Sequence, residues 1–191
     1  MAPRPCHSAF QNLEYGMPQG LLSQDVMVLA KLVAYGGERP SMAQVAGDLS
    51  LSASQVHASL KRLERSRLLD AQTGRPLLKA VEEFLVHAVK YAFPAQRGEP
   101  TRGLPTAHAA APLSNQIVSA GELPPVWPDP DGEVRGGSFE PLHRAVPNAA
   151  RKDPRLYELL ALVDALRDGR VRERKLAEKA LSALLRSLLR G

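Results

Sequence analysis

The side chains best suited to chemistry lie in one run, VAGDLSLSASQVHASLKRLERSRLL, at residues 45–69. Short polar side chains come first in this run and cationic ones follow. Glutamine can form two hydrogen bonds with an adenine edge and arginine with a guanine edge, whereas lysine and arginine also suit phosphates. The order favours a helix that reads base edges in double-stranded DNA. The candidate DNA-contacting residues are Ser52, Ser54, Gln55, His57, Ser59, Lys61, Arg62, Arg65 and, beyond the helix, Arg75.

The apolar spacing of this helix divides it into two faces. Val56, Leu60 and Leu63 recur at i, i+4 and i+7, which predicts one buried stripe behind a Ser52 cap. His57 is then either a groove-facing residue or a packing residue. The outward positions are Ser54, Gln55, Ala58, Ser59 and Arg62.

The candidate side chains have different predicted roles. Gln55 would make a bidentate contact with adenine, and Arg62 would make one with guanine. Lys61 and Arg65 would contact phosphates, and Arg75 could enter the minor groove. The alternative is a fold used only for protein contact, in which the cationic side chains form a solvated face.

Helical periodicity predicts the elements that position these residues. A first helix runs from a Ser23 cap through SQDVMVLAKLVAY and ends before the glycine at position 36. A second helix, MAQVAGDL, meets the third at a tight turn. The segment DAQTGRP predicts a short hairpin whose pairing Pro76 limits. A fourth helix, LLKAVEEFLVHAVKYAF, stops at Pro94.

These elements resemble a known family. From Ala46 to Leu63 the chain matches the run A-x-x-L-x-[LIV]-S-x-[ST]-x-[VIT]-x-x-x-[LIV]-x-x-L of winged-helix bacterial regulators of the MarR-like kind. The resemblance covers residues 23–90, and Ser50 stands where a turn glycine is common. It implies a winged helix-turn-helix domain at residues 21–93 with a short wing hairpin, binding to double-stranded DNA, and a homodimer.

Proline content sets the middle of the chain apart. Residues 1–20 form an N-terminal arm without a periodic pattern, and residues 94–150 hold ten of the sixteen prolines. Each proline lacks the N–H that helices and strand ladders need. Trp127 and other apolar residues favour an extended segment packed along the surface, with Trp127 buried, over a disordered linker.

Residues 151–191 predict an antiparallel helical hairpin. Asp153 followed by Pro154 is typical of a helix start, and the run RLYELLALVDALRD ends at Gly169. A second Leu-rich run follows after a short loop. By the resemblance we assign this hairpin to dimerisation; the alternative is packing within the chain against the first or fourth helix. The basic run at 170–175 could add phosphate contacts, but the acidic residues Glu173 and Glu178 within and beside it favour a solvated face.

Composition excludes several functions. The chain has 191 residues and a net charge of +5 at pH 7, which suits an anionic partner. No apolar run has the length of a membrane span or the form of a secretory signal, so we expect a cytoplasmic protein without a membrane partner. The five histidines lie far apart and Cys6 is the single cysteine, so no metal site and no cofactor are expected. No nucleophile and base can be placed together, which argues against an enzyme.

The resulting hypothesis is a mostly α protein that acts as a dimeric, sequence-specific DNA-binding regulator. Occupancy of a pseudo-palindromic operator favours repression over activation. The rival hypothesis is a protein-interaction module, such as an antitoxin or an assembly adaptor. In that case the Pro-rich middle clasps a protein partner and the winged helix is secondary.

Overall fold

The computed structural model describes residues 20–38, 40–117 and 121–188, so nearly all of the arm, with Cys6, lies outside the described residues. The chain is mostly helical, as expected, with a small three-stranded sheet. The helices are α1 (Ser23–Ala34), α2 (Met42–Leu49), α3 (Ala53–Arg65), α4 (Leu78–Glu83), α5 (Val89–Ala92), α6 (Val146–Lys152), α7 (Pro154–Asp168) and α8 (Val171–Leu188). The strands are β1 (Arg97–Pro105), β2 (Pro125–Pro128) and β3 (Val134–Phe139).

Local capping explains where the first three helices begin. Ser52 Oγ accepts a hydrogen bond from the backbone N–H of Gln55 at 3.2 Å, and Gln55 Oε1 accepts one from the N–H of Ser52 at 2.9 Å. This reciprocal capping box confirms the predicted start of α3. At α1 the predicted Ser23 cap is wrong, because the N-cap residue is Leu22, whose N–H donates to Asp25 Oδ2 at 2.8 Å.

The turn between α2 and α3 has a left-handed residue. Ser50 ends α2 with φ of +53°, a conformation that glycine adopts most easily. Its N–H bonds the carbonyl of Gly47, and the N–H of Leu51 bonds that of Ala46. These bonds satisfy carbonyls at the end of α2 and allow serine at a turn position where glycine is common.

The predicted hairpin after α3 is confirmed as a short tip. Leu69 and Pro76 form a single antiparallel bridge, and Gly74 turns the chain with φ of +68°. Asp70 Oδ1 accepts hydrogen bonds from the N–H and the hydroxyl of Thr73, both at 2.7 Å. Pro76 has no N–H for a longer ladder, so the hairpin stays short.

The fourth predicted helix is present but not uniform. A π-helical segment, Phe84–Ala88, separates α4 from α5. Val81, Leu85 and Val89 are buried at four-residue spacing, so one apolar stripe continues through all three segments. The apolar pattern predicts the helix, but it gives no sign of the π-helical segment.

The Pro-rich middle is packed, as favoured, but it forms strands that the sequence analysis did not predict. β1 pairs antiparallel with both β2 and β3, and β2 pairs in parallel with β3. The prolines fall where a missing N–H costs little, at the ends of β2 and at the register shift beside Pro100. Gly103 faces the backbone of Trp127 so closely that a Cβ atom would overlap it.

The C-terminal helical hairpin is confirmed, but α7 lies at the centre of the molecule. Asp153 caps it by accepting hydrogen bonds from the N–H groups of Arg155 and Leu156. Helix α7 packs against α1, α5, α6 and α8, and α8 also packs against α4. One continuous core joins side chains from all parts of the described chain, among them Leu29, Leu63, Trp127, Leu160 and Leu181. The Leu-rich stripes are therefore covered within the chain, which is the alternative to dimerisation through this hairpin.

Candidate nucleic-acid interface

Helix α3 presents the polar side chains of its N-terminal half to solvent. Val56 and Leu63 are fully buried against the core, as the apolar spacing predicts. His57 is exposed, so a packing role for it is excluded. The exposed candidates on this helix and its cap are Ser52, Ser54, Gln55, His57, Lys61 and Arg65.

Arg62 and Ser59 were expected on the outward face, and that placement is wrong. Arg62 is 5% exposed and Ser59 is fully buried. Arg62 Nε and Nη2 donate to Asp25 Oδ2 and Oδ1, both at 2.7 Å. Asp25 is itself buried at the N-terminal end of α1. The hydrogen bonds that Asp25 accepts raise the pKa of Arg62, so this guanidinium stays charged.

The packing of α1 over α3 is the physical reason for this error. Positions 59 and 62 lie at the edge of the apolar stripe, where a helical wheel permits either orientation. Helix α1 covers that edge, and Asp25 supplies the charge that a buried arginine needs. The only signal in the sequence is the acidic residue Asp25 at the start of a mostly apolar helix.

Gln24 is a further residue at this interface that the sequence analysis missed. Its Nε2 donates to Ser59 Oγ at 3.1 Å, and its Oε1 accepts from Gln55 Nε2 at 3.3 Å. Arg62 Nη2 also donates to Ser59 Oγ, at 3.3 Å. A side chain of α1 thus contacts the polar N-terminal half of α3.

Two of the candidate phosphate contacts differ in their charge environment. Lys61 Nζ lies 2.9 Å from Glu64 Oε2 on the next turn of α3, so its charge is partly compensated. Within the described residues, Arg65 has no ion pair. Both side chains are exposed and can reach an anionic partner.

The hairpin tip lies beside the C-terminal half of α3. A cavity of about 580 Å³ is lined on one side by Leu60 and Glu64 and on the other by Thr73, Arg75 and Leu77. The exposed Arg75 has no ion-pair partner in the part of the chain that the structure describes. Helix α3 and the hairpin therefore form adjoining surfaces, each with exposed cationic side chains.

Helix α6 adds a polar group to the turn before α3. Asn148 Nδ2 and Lys152 Nζ approach Ser50 Oγ at 3.5 and 3.4 Å. Both side chains are exposed. Lys152 lies far from α3 in sequence, and nothing in the local pattern predicts that it lies beside this turn.

A buried lysine fixes α1 and α2 to the C-terminal part of the chain. Lys31 Nζ lies 2.8 Å from Asp48 Oδ2 and 2.8 Å from Asp153 Oδ2. Hydrogen bonds from Lys31 and from the Tyr35 hydroxyl lower the pKa of Asp48. Burial alone would raise the pKa of Asp153, but hydrogen bonds from Lys31 and from backbone N–H groups outweigh it and lower the pKa. The orientation of the helices at the candidate interface thus depends on this ion cluster.

Comparison of the chain with protein-family models, with curated proteins and with solved structures found no match in any of the three. Among the described residues, no cluster of three or more His, Cys, Asp or Glu side chains could hold a metal ion. None of the described helices combines the length and apolar character that a membrane crossing requires.

Proposed function

We propose that this protein is a sequence-specific regulator that binds double-stranded DNA through a winged helix-turn-helix at residues 21–93. The observation that carries the proposal is the arrangement of α3. Val56 and Leu63 of its apolar stripe are buried and Leu60 is half-buried, its N-terminal polar side chains are exposed, and a hairpin with the exposed Arg75 adjoins it. A helix that enters the major groove needs this division of side chains.

In the proposed complex, the N-terminal half of α3 lies in the major groove. Gln55 contacts adenine, with Ser54 and His57 on the same exposed surface. Lys61 and Arg65 contact phosphates. Arg75 reaches the neighbouring minor groove from the hairpin tip.

Arg62 has a different role in this proposal. Its guanidinium is buried and makes both of its short hydrogen bonds with Asp25, so it supports α3 from behind. A guanine contact by Arg62 is therefore not part of the proposal.

Two copies of the chain would bind the two halves of a pseudo-palindromic operator. Occupancy of such a site blocks access to a promoter, which favours repression. The exposed side of α8 carries charged side chains, including Arg172, Lys175, Glu178 and Lys179. We propose this dimer for the full chain. Light scattering on the full chain tests it and should give the mass of two copies.

A DNA-binding assay over a salt series tests the proposal. Random duplex fragments are bound at several salt concentrations, and the tightest binders are selected and sequenced. We expect the logarithm of the binding constant to fall linearly with the logarithm of salt, with a slope of roughly 0.9 per phosphate contact. Gln55→Ala should change the selected sequences, and Lys61→Gln should weaken all of them alike.

Lys179→Gln is the matched control, because it removes one exposed charge from α8, outside the proposed interface. It should leave both the salt slope and the selected sequences unchanged. Failure of the parent protein to bind duplex DNA at low salt would refute the proposal. Binding without any sequence selection would refute its specific part.

The rival hypothesis of a protein clasp has less support. Its clasp would be the Pro-rich middle, whose largest apolar anchor is Trp127. Trp127 is 1% exposed, and its Nε1 donates to the buried Asp164 at 2.6 Å. This anchor is already used inside the chain, so it is not available to a partner.

A further inference from the structure

A chain of hydrogen bonds leads from the buried Arg62–Asp25 pair to the exposed Gln55. Arg62 donates to Ser59 Oγ, Gln24 Nε2 donates to the same oxygen, and Gln24 Oε1 accepts from Gln55 Nε2. The first members are buried, Gln24 is half-buried and Gln55 is exposed. The chain therefore connects a fixed ion pair in the interior to a side chain on the candidate DNA-reading surface.

Each amide in this chain makes one donor contact and one acceptor contact. Ser59 Oγ already accepts a hydrogen bond from Arg62, and Gln24 directs its Nε2 to that oxygen. The carbonyl oxygen of Gln24 then points away from Ser59 and towards Gln55. As a result Gln55 directs its Nε2 to Gln24, while its Oε1 accepts the N–H of Ser52.

A count of the hydrogen-bonding groups of Gln55 shows what remains for a ligand. A glutamine side chain has two N–H donors and two acceptor positions on its oxygen. Gln24 takes one donor and the Ser52 N–H takes one acceptor position. One donor and one acceptor position remain on this exposed amide. The major-groove edge of adenine offers the complementary pair, an acceptor at N7 and a donor at N6.

We propose that Gln24, on α1 and outside the DNA-reading helix, is a positioning residue that determines the specificity of Gln55 for adenine. This inference rests on the proposed function, because it concerns the same DNA-reading surface. Gln24 acts together with the Ser52 N–H to hold the Gln55 amide in an orientation that leaves a donor and an acceptor for adenine. Without Gln24, the Gln55 amide keeps only the hydrogen bond from the Ser52 N–H, so its Nε2 is no longer directed and much of its preference between bases is lost.

Three variants of Gln24 separate positioning from folding. Gln24→Ala removes the contact with Gln55. Gln24→Leu keeps most of the side-chain volume and removes both hydrogen-bonding groups. Gln24→Glu keeps the acceptor for Gln55 Nε2, and it can accept a hydrogen bond from the Ser59 hydroxyl, so it should preserve the Gln55 orientation. Gln55→Ala gives the level of discrimination that remains without the contact.

The test uses the full chain and a duplex selected by the parent protein. Each position of the duplex is replaced in turn, and the adenine read by Gln55 is the one at which Gln55→Ala loses discrimination. A bidentate contact should give the parent about a fivefold to hundredfold preference for adenine there. Gln24→Ala and Gln24→Leu should lower this preference to the level of Gln55→Ala, with the salt slope unchanged, and Gln24→Glu should retain it.

The outcomes distinguish this inference from the proposed function. Full discrimination by Gln24→Ala or Gln24→Leu would overturn the positioning role and leave the DNA-binding function intact. Loss of discrimination in Gln24→Glu equal to that in Gln24→Leu would also overturn it, since a kept acceptor should suffice. Absence of DNA binding by the parent protein would overturn both. Thermal unfolding of each variant shows whether it is folded, and the Leu and Glu variants replace Gln24→Ala if that variant is not.

Discussion

Arg62 of α3 and Asp25 of α1 form a bidentate ion pair, with both N–O distances at 2.7 Å and both side chains buried. Burying a guanidinium without its carboxylate partner strongly destabilises the fold, because neither water nor another carboxylate replaces the lost interaction. The pair therefore holds the two helices in one register. Sequence analysis alone places Arg62 on the opposite face and gives it a direct role in reading DNA.

Arg62→Ala should destabilise the fold by about 3–5 kcal/mol, because it leaves Asp25 buried and unpaired. Urea unfolding of the variant measures this loss. The double variant Arg62→Met with Asp25→Leu should recover much of the stability, since it replaces both charges by apolar groups of similar volume. An Arg62→Ala protein with parental stability and a changed set of selected DNA sequences would instead support the guanine contact.

The error at Arg62 shows which parts of the interface the sequence can predict. The start of α3 is predictable because Ser52 and Gln55 satisfy each other's backbone groups over three residues. The orientation of Arg62 depends on how α1 crosses α3, which no local pattern contains. Gln24 and Lys152 are missed for the same reason: each acts at α3 or its turn from another element.

The fold shows the same division between local and long-range information. Helices with a clear apolar stripe are predicted close to their observed limits, and so is the hairpin tip with its Gly74 turn. The three strands are not predicted, because their ten-proline segment suppresses the alternating pattern that identifies strands. The prolines are tolerated at strand ends and at an irregular register, which only the paired structure reveals.

Because Lys31 pairs with both Asp48 and Asp153, we expect the protein to lose stability in acid. We call these three residues the Lys31 cluster. Asp48 and Asp153 both have a lowered pKa in the folded chain. Their stabilising contribution is therefore complete at neutral pH, and it is lost as pH falls below the unfolded value of about 4 towards the lower folded pKa values. The pKa of Lys31 is raised despite its burial, so its own contribution is lost only at alkaline pH.

Asp153→Asn tests this prediction, because asparagine keeps the helix cap but removes the charge that pairs with Lys31. We expect a loss of about 1.5–3 kcal/mol at neutral pH and a weaker dependence of stability on pH below 5. Denaturant unfolding at a series of pH values measures both quantities. Asp153→Ala is the comparison, and loss of the cap should cost about 1 kcal/mol more. If the stability of Asp153→Asn fell with decreasing pH as steeply as that of the parent protein, the Lys31 cluster would not be the cause of the loss of stability in acid.

The Trp127 indole should report on the packing of the middle segment. Asp164 Oδ2 accepts hydrogen bonds from Trp127 Nε1 at 2.6 Å and Thr106 Oγ1 at 2.9 Å, and Asp164 Oδ1 pairs with Arg167 at 2.7 Å. Burial raises the pKa of Asp164, and these three donors oppose that effect. We expect blue-shifted Trp127 fluorescence and slow proteolysis at Arg102 and Arg135 in the strands.

Two variants of this buried network should destabilise the fold, and the loss of stability should be larger for Asp164→Ala than for Trp127→Phe. Trp127→Phe removes one donor to Asp164 and should cost about 1–3 kcal/mol. Asp164→Ala leaves the buried Arg167 unpaired and should cost about 3–5 kcal/mol. Rapid cleavage at Arg102 in the parent protein, with a water-exposed tryptophan spectrum, would contradict the observed packing of β1–β3.

Truncation after Ala150 should abolish folding rather than convert a dimer into a monomer. It removes α7, whose leucines at 156, 159, 160, 162 and 166 are all buried in the shared core. Each buried leucine contributes about 1.5–3 kcal/mol, so the five together contribute about 7.5–15 kcal/mol, which is comparable with the net stability of about 5–15 kcal/mol typical of a whole domain. Circular dichroism should show no cooperative unfolding of the truncated chain. A folded, cooperative fragment would show that residues 20–150 have a sufficient core of their own.

Lys152 of α6 should contribute one phosphate contact beside α3, the proposed DNA-reading helix. Its Nζ lies 3.4 Å from Ser50 Oγ, and Ser50 precedes the Ser52 cap of α3 by two residues, a distance of at most about 7 Å along the chain. If the N-terminal end of α3 enters the major groove, as proposed, Lys152 lies near the groove edge, where the phosphates are. Lys152→Gln should lower the salt slope by about 0.9 and leave the selected sequences unchanged, whereas Lys179→Gln should change neither. An unchanged slope in Lys152→Gln, measured beside a lowered slope in Lys61→Gln, would place the DNA away from α6.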